Sequence, residues 1–151
     1  MPERTEQFQP IANTAASPAA AAPIAWWLRA VVILGALLMA TGAVLALIHP
    51  AMLVSPHDEI NGAVHIYAGY LASRNMALAI MLIALLSLSA KRALSNLMFL
   101  VALIQLLDAC IDIAEHRWPI VPGVIVLGLI FLFGASRLSN HPVWKSEFWT
   151  R

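Results

Sequence analysis

Cysteine and charge are what this chain has least of. A single cysteine, Cys110, excludes an internal disulfide framework. Charged residues make up 11% of the 151 positions, against about 25% in an ordinary soluble domain. The formal net charge is only +1 and no basic run occurs, so nothing indicates a nucleic-acid partner. Sites built on sequence signatures are missing as well. There is no C-x-x-C-H for covalent haem, and no H-x-x-x-H or H-x-x-E-H pair for a helical metal site.

What is there instead is apolar. Hydrophobic residues account for 61% of the chain and the mean hydropathy is +0.80. They fall in runs long enough to cross a bilayer, which takes roughly 20 helical residues. Four spans are expected, at about residues 26–48, 66–89, 93–115 and 120–138. Trp26, Trp27, Trp118 and Trp144 stand where an interfacial aromatic belt belongs. Pro119 and Pro122 suit the first turn of the last span, where a missing N–H costs little. The fold class that follows is all-α: a four-helix transmembrane bundle.

The segments outside the spans differ in composition. Residues 1–25 are polar, then rich in Ala, Pro and Ser, and read as a flexible tail. No cleaved leader is expected, because the Ala-rich stretch precedes the apolar run instead of following it. The end of the chain, residues 139–151, mixes Trp144, Phe148 and Trp149 with Lys145 and Arg151, as a tail lying on an anionic leaflet would. In the first connecting loop Ser55 reads as an N-cap, with Pro56 in the first turn, Asp58 as capping partner and Gly62 as a bend.

The cations set an orientation. With the amino terminus inside, Arg4, Arg29, Lys91, Arg92, Arg137, Lys145 and Arg151 all fall on the cytoplasmic side. Only Arg117 falls outside, and Arg74 lies within a span. Both termini are therefore expected in the cytoplasm, in a cell inner membrane crossed several times.

Acids inside an apolar chain need a reason. The stretch LLDACIDIAEHRW, residues 106–118, holds Asp108, Asp112, Glu115 and His116. Asp108 lies eight residues before His116, and Arg74 eight after Ile66; both sit roughly 12 Å below the outer surface at 1.5 Å per residue. Opposite charges at one depth on consecutive antiparallel helices are natural partners. Gln105, Asp108, Asp112 and Glu115 step by 3, 4 and 3 along one helical stripe, with His116 four beyond Asp112. Tyr67, Tyr70 and Arg74 form a stripe on the second span, with Asn75 alongside and His65 near its mouth. Facing one another, these ten residues would line a ligand pocket, closed inward by residues such as Leu78, Ile80, Leu97 and Leu100.

Two readings of that cluster stay open. An Arg–Asp pair can simply lock two helices, since an unpaired intramembrane charge is costly. The further Asp, the Gln and the two Tyr exceed what one lock needs, and favour a pocket. Catalysis would fall to Asp108 or Asp112 as acid–base groups tuned by Arg74. Ser73 and Ser95 have no evident base. His49, His57, His65 and His116 gather at the outer side with Asp58 and Glu59, but their spacing matches no ligand signature. Neither metal nor cofactor is expected. Gly35, Ala36, Gly42, Ala43 and Ala46, and the Gly128–Gly134 region, read as close-packing surfaces.

The segments LIHP (47–50), GYLASRN (69–75), Lys91-Arg92 and LLDACID (106–112) together resemble the small four-helix bacterial membrane proteins of the DoxX-like kind. In such proteins an Arg followed by Asn or Asp on the second span accompanies an acidic third span, as Arg74-Asn75 and Asp108 do here. The resemblance covers about residues 31–138 and implies architecture; it brings no agreed chemistry. Three functions are consistent with the residues. The first is an accessory subunit or lipophilic-ligand binder, with a quinone as one example of a ligand. The second is an isomerase or hydratase/hydrolase working on a small lipophilic substrate, and the third is a proton-coupled carrier. The partners implied are the lipid bilayer, a membrane protein or lipophilic small molecule, and further copies of the chain.

Overall fold

The computed structural model describes residues 23–54 and 59–150, and among them the chain is helical with no strand. Four long helices follow one another: α1 (Trp26–Ile48), α2 (Gly62–Ser87), α3 (Lys91–Ala114) and α4 (Val121–Ser139). A 3-10 turn, Pro50–Leu53, follows α1, and a short helix α5 (Ser146–Thr150) closes the chain. All four long helices are long and apolar enough to cross a membrane. Their outward faces are as oily as their inward ones: Leu34, Leu47, Ile66, Ile80, Leu107 and Leu129 are all exposed. A water-soluble monomer rarely carries apolar surface on this scale. The chain reads as a multi-pass membrane protein.

The helix ends follow from local chemistry. Asn61 caps α2, its side-chain oxygen accepting from the backbone N–H groups of Ala63 (3.0 Å) and Val64 (3.2 Å). The helix is started by Asn61, and Gly62 is its first residue, not the bend within it that was expected. Ser55, Pro56, His57 and Asp58 lie outside the described residues. At the other end of α2 the N–H of Ala90 donates to Leu85 O (3.0 Å) and that of Ser89 to Leu86 O (3.0 Å). Ser89 takes the left-handed conformation, φ 53°, that this pattern requires. The same device ends α3. Arg117 N–H donates to Asp112 O (2.8 Å) and His116 N–H to Ile113 O (3.1 Å), with His116 at φ 56°. Pro122 lies in the first turn of α4, while Pro119 precedes the helix.

α1 packs mainly along α2, and α3 along α4, so the bundle consists of two helical hairpins laid side by side. Its two halves are filled differently. The half carrying the start of α1 and the short helix α5, called proximal here, is packed by Leu28, Val32, Leu82, Leu94, Met98 and Phe131. Small residues let these large ones in. A Cβ added at Gly35 would run into the Phe131 ring, and one at Gly134 into the Met98 methyl. In lipid, where no water is expelled, such shape matching supplies much of the attraction between helices. Ser95 adds a buried hydrogen bond to Ala135 O (2.8 Å) across α3 and α4. Two flanking segments join this core: Ile24 and Phe148 are both buried in it, and the Phe148 ring lies 6.0 Å from that of Phe99. Residue 24 was expected to belong to a flexible tail and Phe148 to a surface-lying one. The structure instead turns both into the bundle.

The distal half is packed sparingly. Its buried apolar cluster consists of the small residues Ala43, Ala46 and Ala72, with Leu53 and Leu71 beside them. Alanines at these positions bring α1 and α2 close but do not fill the space between hairpins. That space is the candidate site.

Candidate functional site

Between the hairpins, the distal half holds an open-sided cavity of about 460 Å³, walled by all four long helices and the 3-10 turn. Most of the wall is aliphatic, including Leu38, Met39 and Leu45 from α1, Leu71 from α2, Ile104 from α3, and Val124 and Leu127 from α4. Against this background stand Tyr67, Arg74, Asn75, Gln105, Asp108, Asp112 and Arg117.

The charges are paired in two sets. Arg74 Nη2 donates to Asp108 Oδ2 at 2.9 Å, and Nη1 to Oδ1 at 3.5 Å, so the guanidinium meets the carboxylate fork to fork. This contact joins α2 to α3, which touch less extensively than the helices within either hairpin. Arg74 Nε is buried without a hydrogen-bond partner. The second pair is Arg117 Nη1 with Asp112 Oδ1, at 3.3 Å. Asp112 is the more enclosed of the two acids, 8% exposed as a residue. Arg117 also donates from Nη2 to Met52 O at 3.0 Å, tying the 3-10 turn after α1 to the end of α3. One arginine therefore bridges both loops at the distal end. Its position comes from the helix terminus: the left-handed residue His116 reverses the chain and returns Arg117 over the last turn of α3.

Six of the ten residues expected in the pocket line it: Tyr67, Arg74, Asn75, Gln105, Asp108 and Asp112. His65, Tyr70, Glu115 and His116 do not, and the reasons are geometric. On α2 the wall is formed by Tyr67, Leu71, Arg74 and Asn75. At 100° per residue Tyr70 lies well round from the centre of that arc and His65 nearly opposite it; Tyr70 is 73% exposed. On α3 the stripe was extended to Glu115, but the helix ends at Ala114 and the reversal at His116 carries both side chains to the surface. The expected inner seal needs correction too. Leu78 and Leu97 pack against the core, whereas Ile80 and Leu100 face outward.

Arg117 is the site residue that sequence reasoning missed. It was assigned to the outer loop as a lone cation. The signal available was its proximity to two acids, but a separation of five from Asp112 matches no helical contact spacing.

Few other reactive groups approach the cavity. Cys110 is exposed on α3, Ser73 donates to Tyr70 O (3.0 Å), and Ser95 is engaged in the proximal half. Among the described residues no three His, Cys, Asp or Glu side chains gather as a metal site would need. The arrangement is a mostly apolar chamber with two neutralised ion pairs and a few uncharged hydrogen-bonding groups. Such a chamber can hold a lipophilic molecule and orient it by a polar group. No family model, curated protein or solved structure matches this chain.

Proposed function

We propose that this protein binds a lipophilic small molecule in its distal cavity and serves a bacterial-type inner membrane as an accessory subunit of that kind. The observation that carries the reading is the cavity itself. About 460 Å³ walled by aliphatic side chains with a small convergent polar set has the size and make-up of small-molecule sites, roughly 300–1,000 Å³. A helix lock alone would need one ion pair and no chamber. Acid–base catalysis draws less support, since both carboxylates are engaged by guanidinium groups.

In this reading the distal half faces outward and both termini are cytoplasmic. The support is the distribution of cations: among the described residues Arg29, Lys91, Arg92, Arg137 and Lys145 lie toward the proximal end and Arg117 alone in the distal loops. The resemblance to DoxX-like proteins enters as an expectation of architecture alone.

Binding is tested by photolabelling. Purified full-length protein in nanodiscs is irradiated with a diazirine-bearing long-chain alcohol, and the adducts are mapped by peptide mass spectrometry. Adducts should concentrate on cavity residues such as Leu38, Leu71 and Ile104. Labelling confined to lipid-facing positions such as Leu34 and Leu107 would reject the reading. Orientation is tested separately, in a Cys110→Ser background. An impermeant maleimide added to intact cells should modify Glu59→Cys and spare Lys145→Cys; the reverse pattern would overturn the assignment.

A further inference from the structure

We infer that the ligand of the distal cavity is an uncharged amphiphile whose head carries a carbonyl or hydroxyl group, and that the site discriminates against carboxylates and phosphates. This rests on the reading of the cavity as a binding chamber.

The charge balance of the wall is the first argument. Its two guanidinium groups and two carboxylates are already matched, Arg74 with Asp108 and Arg117 with Asp112. Arg117 spends a further donor on Met52 O. The one buried guanidinium donor without a partner among the described residues, Arg74 Nε, belongs to a group whose charge Asp108 already balances, so an anionic head could gain a full counter-charge only by displacing a carboxylate. It would then share one cavity with the displaced acid and with the other, since Asp108 and Asp112 lie one turn apart on α3. Like charges so placed repel one another. A cationic head meets the mirror-image obstacle, because neither carboxylate is free.

The second argument is unused hydrogen-bonding capacity. Tyr67, Asn75 and Gln105 line the same cavity, and none of the three hydrogen-bonds to another described residue. A phenol and two carboxamides present donors and acceptors together, and no charge. In a largely aliphatic chamber such groups gain by finding a partner. A carbonyl or hydroxyl head supplies one without disturbing either ion pair, while a hydrocarbon tail covers Leu38, Leu45 and Leu127.

The test is competition against the photoreactive alcohol, using wild-type protein in nanodiscs near neutral pH. The competitors share a decyl tail: decanol, a decyl-substituted benzoquinone, decanoate and decyl phosphate, each compared at equal measured concentration in the bilayer. The neutral pair should displace the probe from cavity residues at concentrations at least about tenfold lower than the anionic pair, a gap of roughly 1.4 kcal/mol. Stronger displacement by the benzoquinone would identify a carbonyl head, and stronger displacement by decanol a hydroxyl head; either supports the inference. Asn75→Leu combined with Gln105→Leu should narrow the gap. Anions competing as well as the neutral compounds would overturn the inference while leaving cavity binding intact. Absence of any cavity labelling would remove both.

Discussion

Removing one partner of the Arg74–Asp108 pair should have unequal consequences, depending on which partner goes. The two nitrogen–oxygen contacts, at 2.9 and 3.5 Å, amount to one good charge-assisted hydrogen bond and one weak one. A bond of that kind contributes about 2 kcal/mol. The larger effect is what the survivor does. Arg74→Gln leaves Asp108 facing an amide that can still donate to it, and removes the Nε that is buried without a partner. Asp108→Asn keeps that Nε and replaces one carboxylate oxygen by an NH₂ group that cannot accept. The stranded arginine therefore bears most of the cost of an unpaired charge at membrane depth. Asp108→Asn should destabilise by about 3 kcal/mol and Arg74→Gln by about half as much. The double variant should cost less than the sum, with a coupling of about 2 kcal/mol. The assay is unfolding of reconstituted protein in mixed micelles of rising denaturing-detergent fraction, followed by far-UV and tryptophan signals. Additive single changes, with coupling below about 0.5 kcal/mol, would show that the pair does not join the hairpins. Arg74→Gln costing more than Asp108→Asn would refute the argument from stranded donors even if coupling were found.

Three further outcomes follow from the local geometry. His116 holds the left-handed conformation at the end of α3, so His116→Gly should stabilise by about 0.5–1 kcal/mol and His116→Val should destabilise in the same unfolding assay. Gly35→Ala should destabilise by about 1–3 kcal/mol because the rigid Phe131 ring cannot retreat, and adding Phe131→Leu should recover part of the loss. Gly134→Ala should cost less, since it meets the end of the flexible Met98 side chain. Asn61→Ala should cost about 1 kcal/mol by removing the cap of α2, whereas Asn61→Ser should leave stability near wild type.

Much of the architecture was legible in the sequence because bilayer thickness fixes span length. All four spans fell within a few residues of the observed helices, the widest gap being the start of α2 at Gly62, not Ile66. The Arg74–Asp108 contact was legible for a related reason: rise per residue converts sequence distance into depth, and equal depth on neighbouring helices predicts pairing. What depth cannot supply is the rotation of each helix about its own axis. A stripe spaced by 3 and 4 is broad enough that Tyr67, though more than half exposed, reaches the cavity wall while Tyr70 does not. Arg117 was hidden for a different reason. Its contact with Asp112 depends on a chain reversal at a histidine, a residue that adopts the left-handed conformation far less often than glycine. Phe148 and Ile24 were misjudged because short segments beside a membrane span look alike in composition whether they lie on a surface or dock into a core.

The burial of both flanking segments in one core bears on biosynthesis. The α1–α2 hairpin can leave the translocation machinery and pair before α3 and α4 exist. The proximal core that surrounds Leu28 and Val32, however, includes a ring from α5, Phe148. Assembly of that end thus waits until α5 has been made, after all four long helices, and α5 then closes over the first of them. A chain stopped at Ser139 would insert every helix and still lack its keystone, which is the kind of product that membrane quality-control proteases remove.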